Sequence, residues 1–385
     1  MDRDNVDVRY QWDLTKIYPS NNDFNDDIKL VKDKIGDFSR YQGIEYNANN
    51  LYELVLLMVS VNRVIDRLES YVSLLNDEDT RINKNQELKE KVNNLYSDYI
   101  KATYFVRNSI LKLDYSEIEK FYNDNPNLLE FQRYFLEMFR YKGHILSDAE
   151  EKLLANMAKA LGNNYDTYEL LKDSDLSFPS FVVGEVEYLL DGNKYSLYIE
   201  DNDRKIRKAA FENLYGVYKQ YKNVFASLIS SNIKEEVCMA KIHNYNSAME
   251  ASLYHDEIDS TIYNNLIDTI NDKMDVLHKY YELKKEVLKL DELHLYDVYA
   301  NLIKDGNFKY PYEDAKETVI KALSVLGEEY ISVLKQGLAD RWVDVYPNKG
   351  KRSGGYSGGS YDTNPYILLN YQDKYRDILI KAEPK

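Results

Sequence analysis

Between Gly43 and Gly143 the chain has no glycine, and Pro126 is the only proline. A stretch this long without the two residues that most often punctuate a backbone has few options besides helix. The apolar residues say how many helices there are. Leu54, Met58, Val61, Ile65, Leu68, Val72 and Leu75 step by four and three, and so do Leu88, Val92, Leu95, Tyr99, Ala102 and Val106. A period of about 3.5 residues lays each set along one helix face. Asn76–Thr80 (NDEDT) is a short polar connector. The pattern therefore predicts two long helices, Leu51–Leu75 and Ile82–Leu111, folded back on each other as an antiparallel hairpin. Arg63, Glu69, Lys89 and Glu90 fall off the stripes, as solvated faces should. Such a stripe also suits a partner helix, but self-packing needs no partner.

The remainder reads as mainly α. Asn125-Pro126 breaks the element after the hairpin, and Ser147-x-x-Glu150 is a capping box. Leu154, Met157 and Leu161 form the inner stripe of the helix it opens, with Gly162 as C-cap. His144 stands alone in the preceding loop and is expected to be solvent-exposed or capping. Phe178–Ile199 alternates β-formers around Asp191-Gly192-Asn193, which predicts a small hairpin. That hairpin is taken as the seam between a helical lobe, residues 1–177, and a second lobe, residues 178–385. Asn202 or Asp203 caps a helix with Ile206, Ala210, Leu214, Val217 and Tyr221 inside. Cys238, between Val237 and Met239 with no basic neighbour, is expected to be buried and inert. Tyr312–Gly327 and Glu328–Gly337 are two further helices, the first with Glu313 and Asp314 at its positive end.

Composition narrows the partners. The net charge of −15, with no run of basic residues, argues against nucleic acid or an anionic membrane. The longest apolar run, Leu54–Met58, is far too short to span a bilayer. A single cysteine excludes an intramolecular disulfide, and the charged start MDRDNVDVRYQWD lacks an apolar signal core. The expected location is cytoplasmic. Thirty-seven tyrosines read as coding bias rather than as an aromatic binding wall.

Chemistry is sparse. The five histidines (His144, His243, His255, His278, His294) include no pair four residues apart and no H-E-x-x-H. There is no G-x-S-x-G, no phosphate-binding P-loop and no local Cys/His pairing. The one unusual segment is a cluster of five glycines between Gly350 and Gly359. Its flanks, Trp342–Tyr346 and Tyr366–Tyr371, are rich in aromatic and aliphatic residues and read as neighbouring strands bounded by Pro347 and Pro365. By composition the cluster is either a surface loop or a place where another backbone approaches closely.

The wording decides more than the composition does. WVDVY-x-NKGKRSG-x-YS-x-G-x-Y-x-TNPYILLN, from Trp342 to Asn370, resembles the segment that leads into the zinc helix of oligoendopeptidase F. That is a zinc oligopeptidase family related to thimet oligopeptidase. W-D-L-T-x-I-Y (Trp12–Tyr18), DRKIRKAAFENLY (Asp203–Tyr215), AKIHNYNSAMEASLY (Ala240–Tyr254) and DELHLYDVY (Asp291–Tyr299) are similar to family segments in the family's order. Gly355 departs from a small Ala and Tyr371 from a Trp. The resemblance implies a two-lobed helical body with a peptide channel. It also implies zinc as cofactor and short unfolded peptides as substrate. In that picture Gly354, Tyr356, Ser357 and Gly358 contact a peptide that pairs as an added strand. The family's H-E-x-x-H helix follows this segment, but here the sequence runs on as DKYRDILIKAEPK. Glu383 stands about where the first histidine belongs, with Pro384 after it. Asp373, Asp377 and Glu383 without imidazole suit harder ions than zinc. The expectation is a chain that stops short of its metal site, has no catalytic residues, holds no zinc and is inactive alone. The alternative is a non-catalytic peptide-binding or scaffold protein of the same fold. Ile367, Leu368, Leu369, Ile378, Leu379 and Ile380 are then expected to be uncovered and to drive self-association.

Overall fold

The computed structural model describes residues 2–157, 161, 163–302 and 309–373, and most of them are helical. The chain forms two compact units: Met1–Lys142 with Asn307–Lys385, and Gly143–Gly306.

The first unit begins with an arm of three short 3₁₀ turns that delivers Trp12, Leu14 and Tyr18 into the interior. Helix α1 (Asn21–Ile35) opens on a capping box made by Ser20 and Asp23. Helix α2 (Ala48–Glu78) is capped by Asn47, and α3 (Asn83–Leu111) follows a four-residue connection. The two pack as the predicted antiparallel hairpin. Leu54, Val61, Ile65, Leu68 and Val72 face Val92, Leu95, Tyr99 and Val106 in the interior, all of them buried. The Asn85 amide closes the turn by donating to the Leu75 carbonyl at 2.9 Å. Helix α4 (Tyr115–Asp124) ends at Asn125, Pro126 starts a 3₁₀ turn, and α5 (Gln132–Arg140) completes this half.

The second unit opens with α6 (Asp148–Met157), where Glu150 accepts from both the Ser147 amide and its hydroxyl. Of the expected inner stripe, Leu154 and Leu161 are half-buried and Met157 is exposed; Gly162 lies outside the described residues. Helix α7 (Asn163–Leu170) precedes the hairpin of β1 (Phe181–Val183) and β2 (Val186–Tyr188). The hairpin exists, but its turn is Gly184-Glu185, with Gly184 at φ +65°. Asp191-Gly192-Asn193 does a different job. The Asp191 carboxylate accepts from the Lys194 amide at 2.8 Å and caps α8 (Gly192–Tyr198). An Asp before Gly-Asn serves a turn or a helix cap equally well, so the local sequence does not choose between them.

Asp203 caps α9 (Arg204–Gln220), whose Ile206, Ala210 and Leu214 pack on Phe181 and Leu190. Val217 is buried as expected, whereas Tyr221 is exposed at the junction with α10 (Lys222–Ile242). Cys238 is also exposed, contrary to its apolar sequence neighbours: α10 buries only Ala240, and position 238 points away from that side. Helices α11 (Ala248–His255), α12 (Ser260–Asp272) and α13 (Met274–Val287) follow. The chain then returns to the first unit with α14 (Tyr312–Leu323), which carries Glu313 and Asp314 in its first turn, and α15 (Glu328–Ala339). Among the described residues no helix is long and apolar enough to cross a membrane.

The second unit is centred on Asp297, whose carboxylate is fully buried. It accepts from Arg207 at 2.7 Å, from Arg204 at 2.8 Å and from the His294 amide at 3.1 Å. Burial pushes this carboxyl up, but the two guanidiniums outweigh it and hold it below the usual range. A depressed folded-state value means the stabilisation is complete above the ordinary Asp range and is lost as pH falls through the depressed value.

Two tests follow. Leu68→Ala should cost about 2–5 kcal/mol in a urea titration, as for any fully buried leucine. Asp297→Asn should cost about 3–5 kcal/mol at neutral pH. It should also flatten the acid dependence of unfolding below about pH 4 that the native protein shows.

Candidate functional site

The glycine-rich segment is built into a sheet of three short strands, β3 (Val343–Asp344), β4 (Tyr356–Gly358) and β5 (Tyr366–Leu368). The expected pairing of the two flanks is present, and it is parallel, with Val343 opposite Ile367. The glycine segment also contributes β4, which pairs antiparallel on the other side of β5. Ile367 N–H donates to the Trp342 carbonyl at 2.9 Å and Leu369 N–H to the Asp344 carbonyl at 2.8 Å. Residues 367 and 369 therefore turn their backbone toward β3. Ser357 lies opposite Ile367 in a non-hydrogen-bonded pair. Its own N–H and C=O point away from β5, to the outer edge of the sheet. Among the described residues no further strand occupies that edge.

The sheet is held by the end of α2. Thr80 N–H donates to the Gly350 carbonyl at 2.8 Å, Arg352 N–H to the Asp77 carbonyl at 3.0 Å, and the Asn348 amide to the Glu78 carbonyl at 3.0 Å. Gly350 sits at φ +76°, and a Cβ there would fall onto the Asp79 carboxylate and the Arg81 guanidinium. Beneath these contacts lies a buried charge cluster. Lys351 reaches one Asp344 oxygen at 2.6 Å and the Tyr346 carbonyl at 2.7 Å. Arg3 reaches the other Asp344 oxygen at 2.7 Å and Glu78 at 2.9 Å. Glu78 also accepts from the Trp12 indole at 2.6 Å. Burial raises the Glu78 carboxyl, and the Arg3 charge only partly opposes this.

The four residues singled out in the sequence sit together but differ in what they offer. Gly354 is exposed at φ +83°, and its carbonyl accepts from Asn370 at 2.8 Å. The Tyr356 ring packs on the cluster of Trp12, Leu74, Tyr366 and Leu368. Its hydroxyl donates to Asp77 at 2.7 Å, and burial with the adjacent carboxylate raises the phenol far above its ordinary value. Ser357 offers backbone to the open edge. Gly358 lies opposite Tyr366, and a Cβ there would press on the Tyr356 ring at 3.2 Å.

NDEDT reads from sequence as a connector, whereas in the structure its acids anchor the sheet. A signal was present: three acids cluster at a helix C-terminus, where the dipole disfavours negative charge, and that conflict calls for cationic partners.

Two further expectations change. Leu368 and Leu369 are buried, the first with Trp12 and Leu14, the second with Tyr312 and Val345. Ile367 is half-buried, and Ile378, Leu379 and Ile380 lie outside the described residues. His144 is half-buried rather than solvated. Its Nδ1 lies 2.9 Å from the His243 carbonyl, the His243 Nδ1 lies 2.9 Å from the His144 carbonyl, and the His144 ring stacks on Tyr245 at 3.7 Å. His255 pairs with Asp256, and His294 lies 3.6 Å from Glu292. Among the described residues no three His, Cys, Asp or Glu side chains are placed to hold a metal ion; Asp377 and Glu383 lie outside them. The described donors do not supply the three protein ligands that a catalytic zinc takes.

Residues 197–380 match the family model of peptidase family M3, and residues 109–178 match that of oligopeptidase F. The chain is 38% identical over 380 residues to oligopeptidase PepF of Bacillus subtilis, an alignment that covers 98% of this chain. This chain belongs to the oligoendopeptidase F family. It is also 33% identical to the group B oligopeptidase PepB of Streptococcus agalactiae over 96% of its length. The crystal structure of oligoendopeptidase-F from Enterococcus faecium shares the fold with a TM-score of 0.72 at 29% identity, over 83% of this chain and 60% of that one. The chain spans 57% of PepF and 62% of PepB. The sheet and its four candidate residues fall within the part matched to the M3 model.

Because this sheet rests on α2, disturbing their junction should loosen both. Gly350→Ala and Tyr356→Phe should each cost about 1–3 kcal/mol in chemical denaturation.

Proposed function

We propose that this chain supplies the peptide-binding part of a zinc-dependent oligoendopeptidase, with the outer edge of β4 taking a short extended peptide as an added strand. The observation that carries this is the outward-facing backbone of Ser357 on a strand with no outer neighbour among the described residues. Main-chain pairing gives affinity with little regard for sequence. Gly354 leaves open space beside the segment, and the Tyr356–Asp77 bond fixes the strand before the peptide arrives. In this reading residues 1–177 are the family's helical lobe and residues 178–385 the start of its catalytic lobe, acting on peptides in the cytoplasm.

The metal ligands and the general base are not assigned to this chain. The sequence has no H-E-x-x-H, and the described residues bring no three donors together. By itself the chain is then a peptide binder that holds no catalytic zinc and cleaves nothing. The same observations favour the second reading, a non-catalytic peptide-binding protein of the same fold.

Fluorescence anisotropy with a labelled nonapeptide tests the edge. Ser357→Pro removes the outward N–H without removing a ladder bond, so it should weaken binding by at least about tenfold. Ser357→Ala should leave binding within about twofold, because the side chain is not the donor. Equal binding by both variants would place the peptide elsewhere. Metal analysis and a quenched fluorescent peptide test the second point. The expected result is no stoichiometric zinc and no cleavage with zinc added; chelator-sensitive cleavage by the chain alone would contradict it.

A further inference from the structure

The turn that carries the chain from β4 back to β5 holds a tyrosine out into solvent in a fixed position. Tyr361 is the most exposed tyrosine among the described residues, at 85%. A single exposed apolar residue is ordinary and is usually held loosely. This one is gripped. The Arg63 guanidinium of α2 lies over one face of the ring, 4.4 Å from its centroid. Asp362 fixes that guanidinium in turn, accepting from Arg63 Nε at 2.8 Å and from a second nitrogen of the same group. A bidentate pair of this kind sets orientation as well as position. The turn itself is built as firmly. Thr363 N–H donates to the Ser360 carbonyl at 3.1 Å, and Ser360 N–H to the Thr363 hydroxyl at 2.7 Å. Gly359 opens the turn at φ +135°, where a Cβ would fall 2.7 Å from the Asn364 carbonyl oxygen.

What such a ring can do follows from its place. Tyr361 comes four residues after Ser357, so the two are at most about 14 Å apart. An extended peptide rises roughly 3.3 Å per residue, and one paired opposite Ser357 reaches the level of the turn within about four residues. Arg63 covers one face of the ring, and the rest of it is open to solvent. An open aromatic face takes an apolar side chain, and best another aromatic one, offset or edge-on. Asp362 beside it and the net charge of −15 disfavour an acidic one. We propose that Tyr361 is the specificity residue of the β4 edge and receives an apolar, above all aromatic, side chain of the bound peptide, about four residues from the one opposite Ser357. Main-chain pairing supplies affinity with little regard for sequence, and the ring adds a preference at one position. Arg63 is a positioning residue that acts by holding the ring. This inference rests on peptide pairing at β4 and deepens it.

Fluorescence anisotropy on the 385-residue chain tests it, with labelled nonapeptides that carry Phe, Ala or Asp at one position at a time. The native chain should prefer Phe over Ala at one position by about fivefold or more, and should disfavour Asp there. Tyr361→Phe should keep that preference. Tyr361→Ala should bring the Phe-to-Ala ratio to within about twofold of unity, with an unchanged Tm. Arg63→Gln, which frees the ring, should lower the ratio, and Arg63→Lys, which keeps a cation against the ring, should restore part of it. Tyr299→Ala, at an exposed tyrosine of the other unit, should leave the ratio unchanged. A native chain without any preference, a preference that survives Tyr361→Ala, or one lost equally in Tyr299→Ala would overturn the inference while pairing at β4 stands. Failure of the pairing shows differently. Ser357→Pro would then bind every peptide as tightly as the native chain, or the native chain would bind none, and the inference would fall with it.

Discussion

The Asp344 carboxylate is where the first unit is tied together. One oxygen holds Lys351 of the glycine segment, the other holds Arg3 of the N-terminal arm, and Arg3 passes the connection on to Glu78 at the end of α2. The arm and the glycine segment meet on one side chain that is almost fully buried, and the end of α2 joins them through Arg3. Burying these charges is costly unless each finds its partners, and here each oxygen has a cation of its own. The arrangement is satisfied only when arm, hairpin tip and glycine segment are all in place. That makes the position of β4 a property of the whole unit and not of a loop.

The consequence for function is that a glycine-rich segment, which would be mobile in isolation, becomes a fixed edge. Tyr356 is held by Asp77, and because Ile367 spends its backbone on β3, its partner Ser357 turns its own backbone to the outer edge. On the proposed reading, rigidity at such an edge would spare a paired peptide the cost of ordering its receptor. Glycine at 350 is required for the segment to pass over Asp79, and at 358 a Cβ would press on the Tyr356 ring at 3.2 Å.

Much of this architecture is legible in the residues. The heptad stripes of α2 and α3, the caps at Ser147 and Asp203, and the two strands flanking the glycines all follow from periodicity and local chemistry. What is not legible depends on distance in sequence. The role of Asp344 involves a partner more than three hundred residues away, and nothing around it marks it as special. Asp191 reads equally as a turn or as a cap, and only the pairing of Phe181 with Tyr188 decides. Cys238 and Tyr221 have apolar neighbours in sequence, yet α10 buries only Ala240, so burial there does not follow from composition. Leu368 and Leu369 were expected to need a cover from outside, yet the arm and α14 provide it.

Native-state hydrogen exchange on the Asp344→Asn variant tests the central claim most directly. If this carboxylate joins the arm, the hairpin tip and the sheet, the amides of Thr80, Val345, Ile367 and Leu369 should all exchange faster together. Each of these donates across one of the junctions, to Gly350, Tyr10, Trp342 and Asp344 respectively. Amides within α9, in the other unit, should be unchanged. Faster exchange confined to Val345, with Thr80 and Ile367 as slow as in the native chain, would contradict the account.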